Sequence, residues 1–210
     1  YFDQTGTVVG RGPAYTRYGI SINSDHKKGK FKFGESFHYT YADQTLMSFL
    51  HTGTMMNYMM TAIPTIPVYD ETTIDGFGAS DSDIHNSYTA NVIGMNSLIE
   101  SETDRYRMIG NVYGEYEFIP GLKYKLSLSY ERTDWKDYHF KPIHNLGWFY
   151  VNNIARMDDN RGFGYTGTLE QTLTYDKSIG DLNLTALIGQ SSFDTFNKKP
   201  DDLKDDPPKD

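Results

Sequence analysis

The residues best suited to chemistry lie between Trp135 and Tyr150, a stretch dense in aromatic and histidine side chains. Aromatic rings offer a large apolar contact area, and those of Trp and Tyr also carry a polar group. Trp135, Tyr138, Trp148 and Tyr150 could therefore stack on sugar rings or line the path of a peptide, which makes them the candidate substrate-binding residues. The alternative is structural: the same rings pack this stretch against its neighbour or belong to an aromatic belt.

Metal and cofactor chemistry finds little support in the sequence. His139 and His144 with Asp137 could be imagined as a zinc cluster, but six histidines without any cysteine form no metal motif, and solvated loop histidines explain them better. A group of acidic residues lacks the glycine-punctuated spacing of a calcium loop; its members are Asp70, Glu71, Asp75, Asp81 and Asp83. No phosphate loop, nucleophile elbow or catalytic set is present. We expect no enzyme, no cofactor and no bound metal.

Composition narrows the class of protein. The chain has 210 residues, no cysteine, 17 Tyr and 19 Gly, which excludes disulfides and suits a β-protein with amphipathic surfaces. A net charge of -8 argues against nucleic-acid binding. No apolar run is long enough for a transmembrane helix. The opening residues 1–4 lack the basic and apolar parts of a secretory leader, and they are expected to lie inside a strand already under way.

The stretch Asp104–Asp134 carries the strongest structural pattern. Apolar and polar residues alternate on both sides of Ile119-Pro120-Gly121, which predicts two long strands joined by a tight turn. One face of the pair is apolar and rich in aromatics at its ends; it carries Tyr106, Met108, Val112, Tyr116, Phe118, Leu122, Tyr124, Leu126, Leu128 and Tyr130. Strands of about 9–11 residues cross a bilayer, and aromatic girdles mark both interfaces of outer-membrane barrels.

The same alternation predicts further strands at 15–25, 31–43, 163–175 and 182–190. Short turns join the hairpins, whereas long loops at 44–103 and 135–162 join one hairpin to the next. Within the first loop, 46–60 suits a helix and 63–70 suits an extended segment. Loops sorted by length in this way are typical of an outer-membrane barrel, which has short periplasmic turns and long extracellular loops. Residues 197–210 are almost wholly Asp, Lys and Pro, which predicts a disordered tail.

Four phrases in order resemble the SusC/RagA class of TonB-dependent outer-membrane transporters of Bacteroidetes. They are YFDQTGTV at 1–8, IPTIPVYDE at 63–71, RMIGNVYGEYEFIPGLKYKLSLSYE at 107–131 and EQTLTYDKSIGDLNLTALIGQS at 170–191. The resemblance implies an all-β fold: an antiparallel up-and-down meander forming part of a transmembrane barrel of about 22 strands. About seven strands are too few to close such a barrel, so we expect 1–196 to be an internal fragment of it.

The resemblance also implies a function. The intact protein would import oligosaccharides or peptides across the outer membrane of a Gram-negative cell, with lipid around the barrel. A SusD-like surface lipoprotein would cap the extracellular loops, and TonB would supply energy through a part of the protein outside this chain. The alternative interpretation is a soluble β-sandwich that binds carbohydrate through the loop around Trp135 and Trp148.

Overall fold

The computed structural model describes residues 1–6, 11–46, 49–50 and 53–198. Seven strands form one large sheet in the order β1-β2-β3-β6-β7-β10-β11, so neighbours in the sheet follow one another along the chain. These strands are β1 (Phe2–Thr5), β2 (Ala14–Lys28), β3 (Phe31–Thr45), β6 (Glu100–Ile119), β7 (Leu122–Lys141), β10 (Arg156–Ile179) and β11 (Leu182–Lys198). The predicted all-β antiparallel meander is confirmed.

The remaining elements are short, and along the chain they come between the long strands. Two small ribbons pair β4 (Phe49–Leu50) with β5 (Gly53–Thr54) and β8 (His144–Asn145) with β9 (Val151–Asn152). The helices are α1 (Met55–Met60) and α2 (Val92–Leu98). Neither helix in the described part of the chain has the length and hydropathy needed to cross a bilayer.

Three hairpin turns of two residues each join β2 to β3, β6 to β7 and β10 to β11. The β6–β7 turn needs a glycine, because Gly121 has a φ of 89°, a conformation that side chains with a Cβ rarely adopt. Its N–H donates to Glu117 Oε1 at 2.9 Å, and its carbonyl accepts from Asp176 N at 2.9 Å. This turn is therefore fixed by its own strand and by β10.

The strands are longer than the sequence pattern predicted. β7 continues to Lys141 and β10 begins at Arg156, so strand extends into the range predicted as the loop 135–162. Backbone ladders can continue where both faces are polar or aromatic, and apolar alternation does not reveal such extensions. At the C-terminal end, β11 includes 197 and 198, and the rest of the predicted tail lies outside the described residues.

Two predictions inside the first loop need correction. The helix predicted in 46–60 begins only at Met55, because residues 49–50 and 53–54 pair as strands ahead of it. The segment 63–70 is not simply extended, since Ile66 N donates to Ile63 O at 3.1 Å and closes a turn. Prolines at 64 and 67 exclude an α-helix there, but a proline also suits the second position of a turn.

The chain divides into two compact units. The loop unit contains Tyr1–Arg17, Ala42–Asp104 and Lys136–Asn160, and the strand unit contains Tyr18–Tyr41, Arg105–Trp135 and the range that starts at Arg161. The loop unit has a buried apolar cluster of Met55, Tyr58, Ala90, Met95, Ile99, Leu146 and Tyr150. The strand unit instead exposes many of its large apolar side chains.

Candidate functional site

The two long loops share one small core in the loop unit. Met55, Met95 and Ile99 come from the first loop, and Leu146 and Tyr150 come from the second. Met95 and Leu146 are both 0% exposed. Burial of apolar side chains is the main force holding such a unit together, so the loops have a defined structure of their own.

Backbone hydrogen bonds also join the two loops. The amide of Asn145 donates to Asp75 Oδ2 at 2.6 Å. The amide of Asn91 donates to Leu146 O at 2.9 Å, and that of Trp148 donates to Ser80 O at 2.9 Å. These contacts place the chain around Trp148 against the Gly- and Ser-rich part of the first loop.

Asn91 organises the first loop through its side chain. Its Nδ2 donates to Val68 O and to Gly78 O, each at 2.8 Å. Its Oδ1 accepts from Gly94 N at 2.9 Å and caps the N-terminus of α2. One amide group therefore fixes the start of α2 against two other segments of the loop.

Trp148 belongs to an exposed aromatic cluster with Tyr88 and Phe149. Tyr88 and Phe149 stack with ring centroids 4.2 Å apart, and the centroids of Trp148 and Phe149 are 3.5 Å apart. Trp148 Nε1 donates to Ser87 O at 2.9 Å, which fixes the indole. Tyr88 is 66% exposed and Phe149 44% exposed, so both rings of the cluster are accessible to solvent.

Tyr150 lies beneath this surface, because its side chain is buried in the core of the loop unit. Its hydroxyl donates to Tyr88 O at 3.2 Å, and its ring meets Tyr58 edge to face with centroids 5.0 Å apart. The side chain therefore supports the backbone that presents Tyr88.

The other two candidates stand on the long strand β7. Tyr138 is half-buried in the loop unit, with Lys136 Nζ 5.8 Å from its ring centroid. Trp135 belongs to the strand unit, where its indole covers Gly162 so closely that a Cβ at that position would clash with it. The structure thus brings Trp148 and Tyr150 into one site and places Trp135 in the other unit.

An apolar pocket of about 150 Å³ lies within the loop unit. One wall is the turn-forming segment around Ile63, Ile66 and Val68, and the opposite wall is the start of α2. Two hydroxyl residues, Ser80 and Thr89, also line it. Ser80 Oγ donates to Thr89 O at 2.9 Å, whereas the buried Thr89 Oγ1 has no hydrogen-bond partner.

His144 is buried at the base of the second loop and is 2% exposed. Its Nδ1 lies 2.9 Å from Pro142 O, and because a carbonyl only accepts, Nδ1 must carry the proton. Burial lowers the pKa of His144, although the hydrogen bond to the Pro142 carbonyl acts in the opposite direction and raises it. Among the described residues, no three side chains of His, Asp or Glu come together to hold a metal ion.

The chain resembles one known protein in sequence and another in fold. No protein-family profile matches the chain. The TonB-dependent receptor P3 of Formosa agariphila is 28% identical over 197 residues, which cover 91% of this chain and 19% of the receptor. The structure of the RagAB peptide importer in its closed-closed state matches with a TM-score of 0.66 and 15% identity, over 94% of this chain and 23% of the matched chain.

The chain is thus similar in sequence to part of a TonB-dependent receptor and similar in fold to part of the RagAB importer. The resemblance read from the four sequence phrases is thereby confirmed. The matched proteins are named as a receptor and an importer, not as enzymes. The chain spans about a fifth of the length of this receptor, of which it covers 19%.

Sequence reasoning missed the partners that turn Trp148 into a surface. Tyr88 stands in a run of Gly, Ser, Asp and Asn without periodicity, and nothing local signals that its ring will stack on Phe149. The pocket beside Thr89 was missed for the same reason. Both features depend on contacts between residues far apart in the chain, which a single sequence does not display.

Proposed function

We propose that this chain forms part of the barrel wall and the loops of an outer-membrane importer that takes up oligosaccharides or peptides with energy from TonB. The observation that carries the proposal is the exposed apolar face of the strand unit. Ile20, Val112 and Leu128 are 55%, 52% and 48% exposed. Val112 and Leu128 stand on β6 and β7, which have neighbours on both sides, so their exposure is not an effect of the sheet edge.

Such a face suits lipid. In water, large contiguous apolar surfaces are rare on monomeric proteins, whereas the outer face of a membrane barrel is an apolar band. We therefore assign outer-membrane lipid as the partner of this face and the outer membrane of a Gram-negative cell as the location.

The opposite face of the strand unit is polar and internally paired. Arg107 Nη2 lies 2.7 Å from Glu131 Oε1. Asn111 Nδ2 donates to Ser127 Oγ at 3.0 Å and to Ser129 Oγ at 2.6 Å. Polar side chains with such partners suit the water-filled interior of a barrel, which needs no specific ligand to explain them.

The long loops of the chain would then be extracellular and the short hairpin turns periplasmic. Short hairpin turns at one end of the strands and long loops at the other support this orientation. By resemblance to the SusC class, a SusD-like surface lipoprotein would cover these loops, and TonB would bind a part of the protein outside this chain.

Trp135, Tyr138, Trp148 and Tyr150 remain the proposed substrate-binding residues. Trp148 has the strongest support, because it shares an exposed aromatic surface with two further rings. Tyr150 would act by supporting this surface, since its own side chain is buried. The soluble β-sandwich is not favoured: the described strands form one large sheet, with no second large sheet packed on its apolar face.

Uptake by the intact transporter tests this proposal. Cells carrying it as their sole importer of this class would be fed a mixture of oligosaccharides and peptides, and depletion would be followed by mass spectrometry with and without TonB. We expect TonB-dependent depletion of at least one compound. Trp148→Ala should lower its uptake, whereas Tyr69→Ala, which removes an exposed loop aromatic outside the cluster, should not. Depletion of nothing, or depletion that does not need TonB, would refute importer function.

A further inference from the structure

The apolar pocket of the loop unit points to a narrower substrate class. We propose that it is a subsite for one aliphatic side chain of a peptide, held with a hydrogen bond from the peptide backbone to Thr89 Oγ1. This inference rests on the proposed importer function and deepens it, because it selects peptides over oligosaccharides.

Size and lining favour an aliphatic group. A cavity of about 150 Å³ lined by apolar side chains is large enough for a group the size of benzene. The walls are supplied chiefly by Ile63, Ile66, Val68, Val92 and Ile93. None of the residues that line the pocket is charged. A Val, Leu or Ile side chain would fill this space without leaving a polar group unpaired.

A sugar ring fits these walls poorly. Each of its hydroxyls would need a hydrogen-bond partner, because an unpaired polar group is costly to bury. The lining contains one side-chain amide, that of Asn91, whose two N–H groups and whose oxygen are already engaged. The hydroxyl of Ser80 already donates its proton to Thr89 O.

Among the residues that line the pocket, Thr89 has a polar atom without a partner. Thr89 is 3% exposed, and its Oγ1 makes no hydrogen bond. Buried hydroxyls nearly always find a partner in native structures, so an orphaned one needs an explanation. The backbone amide beside a bound aliphatic side chain would supply that partner. One hydrogen bond next to an apolar cavity is the pattern expected for recognition of a single peptide residue.

Hydrogen bonds made by residues that line the pocket hold its walls apart. Asn91 ties Val68 on one wall to the N-terminus of α2 on the other. The turn closed by Ile66 N and Ile63 O fixes the first wall. A pocket with walls set by hydrogen bonds is preformed, which lowers the ordering cost of binding.

Two octapeptides of Gly and Ser with a single central Leu or Ala would probe the pocket. Equilibrium binding of each to the intact transporter in outer-membrane vesicles gives the Leu/Ala preference. We expect the Leu peptide to bind about tenfold or more tightly, the range seen when a hydrophobic pocket discriminates between apolar groups. Ala62→Leu, which places a side chain into the pocket from its exposed rim, should abolish this preference. Thr65→Leu adds the same side chain in the same turn outside the pocket lining and should preserve it.

Thr89→Val supplies a second test that does not fill the pocket. It keeps the shape of the side chain and removes the hydroxyl, so the Leu peptide should bind about tenfold more weakly, the cost of one hydrogen bond. If Ala62→Leu leaves the preference intact and Thr89→Val leaves binding of the Leu peptide unchanged, while peptides are still imported, the subsite is refuted and importer function stands. If these variants instead release a co-purifying lipoprotein without changing peptide preference, the pocket binds that partner and the subsite is equally refuted. If no peptide or oligosaccharide is imported at all, importer function itself fails.

Discussion

The loop unit buries a core of apolar side chains, whereas the strand unit exposes many of its own. In the loop unit Met95 and Leu146 are completely buried, whereas in the strand unit Ile20 and Val112 are more than half exposed. This contrast is the one expected if the two units lie in different solvents. The loops have to be stable in water, and they bury a core to achieve this. In the proposed outer-membrane location, the strands would face a medium in which exposure of apolar groups costs nothing.

The difference extends to polar groups. Loop polar groups such as the Asn91 amide join backbone segments and define a shape. Polar side chains of the strand unit pair with each other across neighbouring strands, as Arg107 does with Glu131. Polar groups of the loop unit therefore fix the shape of its backbone, whereas those of the strand unit form a polar face, which would line the interior of the proposed barrel.

The largest effect should come from opening the loop core. Leu146→Ala removes a fully buried side chain and should destabilise the loop unit by about 2–5 kcal/mol, the usual cost of such a cavity. Limited proteolysis of the 44–103 loop in the intact transporter would report this as faster cleavage. Ile154→Ala, at an exposed position of the second loop, is the matched control and should have little effect. Equal cleavage rates in the two variants would show that the loop core is not what holds the loops.

A charge on the strand face should act nearly as strongly. Leu128→Arg would place a cation against lipid and should cost about 2–4 kcal/mol if this position lies near the bilayer midplane. Ser127→Arg, one residue away on the polar face, should cost far less, since Asn111 keeps its hydrogen bond to Ser129. Urea unfolding in liposomes would compare the two. A reversed order would mean that the faces are assigned the wrong way round.

Removing the donor group of Asn91 should have a moderate effect. Asn91→Asp keeps an oxygen for the Gly94 amide but cannot donate to Val68 O or Gly78 O. Leaving such acceptors unsatisfied costs about 1–3 kcal/mol. Hydrogen exchange of the α2 region should therefore accelerate. Asn153→Asp makes the same charge change at an exposed site and should leave exchange unaltered; an identical response from both would attribute the effect to charge alone.

The smallest effect should be a pH dependence confined to the loop unit. Burial lowers the pKa of His144 in the folded protein, so between that value and the unfolded value of about 6.5 the unfolded state binds more protons. Stability of the loop unit should consequently fall as the pH drops below about 6.5. Hydrogen exchange at the Leu146 amide, corrected for its intrinsic pH dependence, would measure this loss of stability. His144→Asn keeps a donor for Pro142 O but does not titrate, and its exchange should be less sensitive to pH; undiminished sensitivity would exclude His144 as the cause.

The strand unit was largely predictable because its information is local. Alternation around Val112 and Leu128 identifies strand, face and hairpin within a few residues of each position. The extension of β7 to Lys141 was missed because backbone pairing continues where that alternation fades.

The loop unit was not predictable in the same way. Burial of Tyr150 depends on Tyr58 and Met95 in another loop, and no local pattern encodes those contacts. Trp148 was identified from its residue type, but the rings that complete its surface follow from tertiary packing. Residue type thus suggests a candidate for binding, whereas its setting is decided by long-range contacts.

The core shared by the two loops has a consequence for raising antibodies against them and for exchanging them between transporters. The Asn91 amide donates to Leu146 O, and the Trp148 amide donates to Ser80 O. The surface of the loop unit is therefore assembled from two separate stretches of sequence. A synthetic peptide copied from either loop would carry only half of the folded epitope. Antibodies raised against such a peptide should recognise the denatured chain better than the cell surface. For the same reason, specificity should move between related transporters only when both loops are exchanged together.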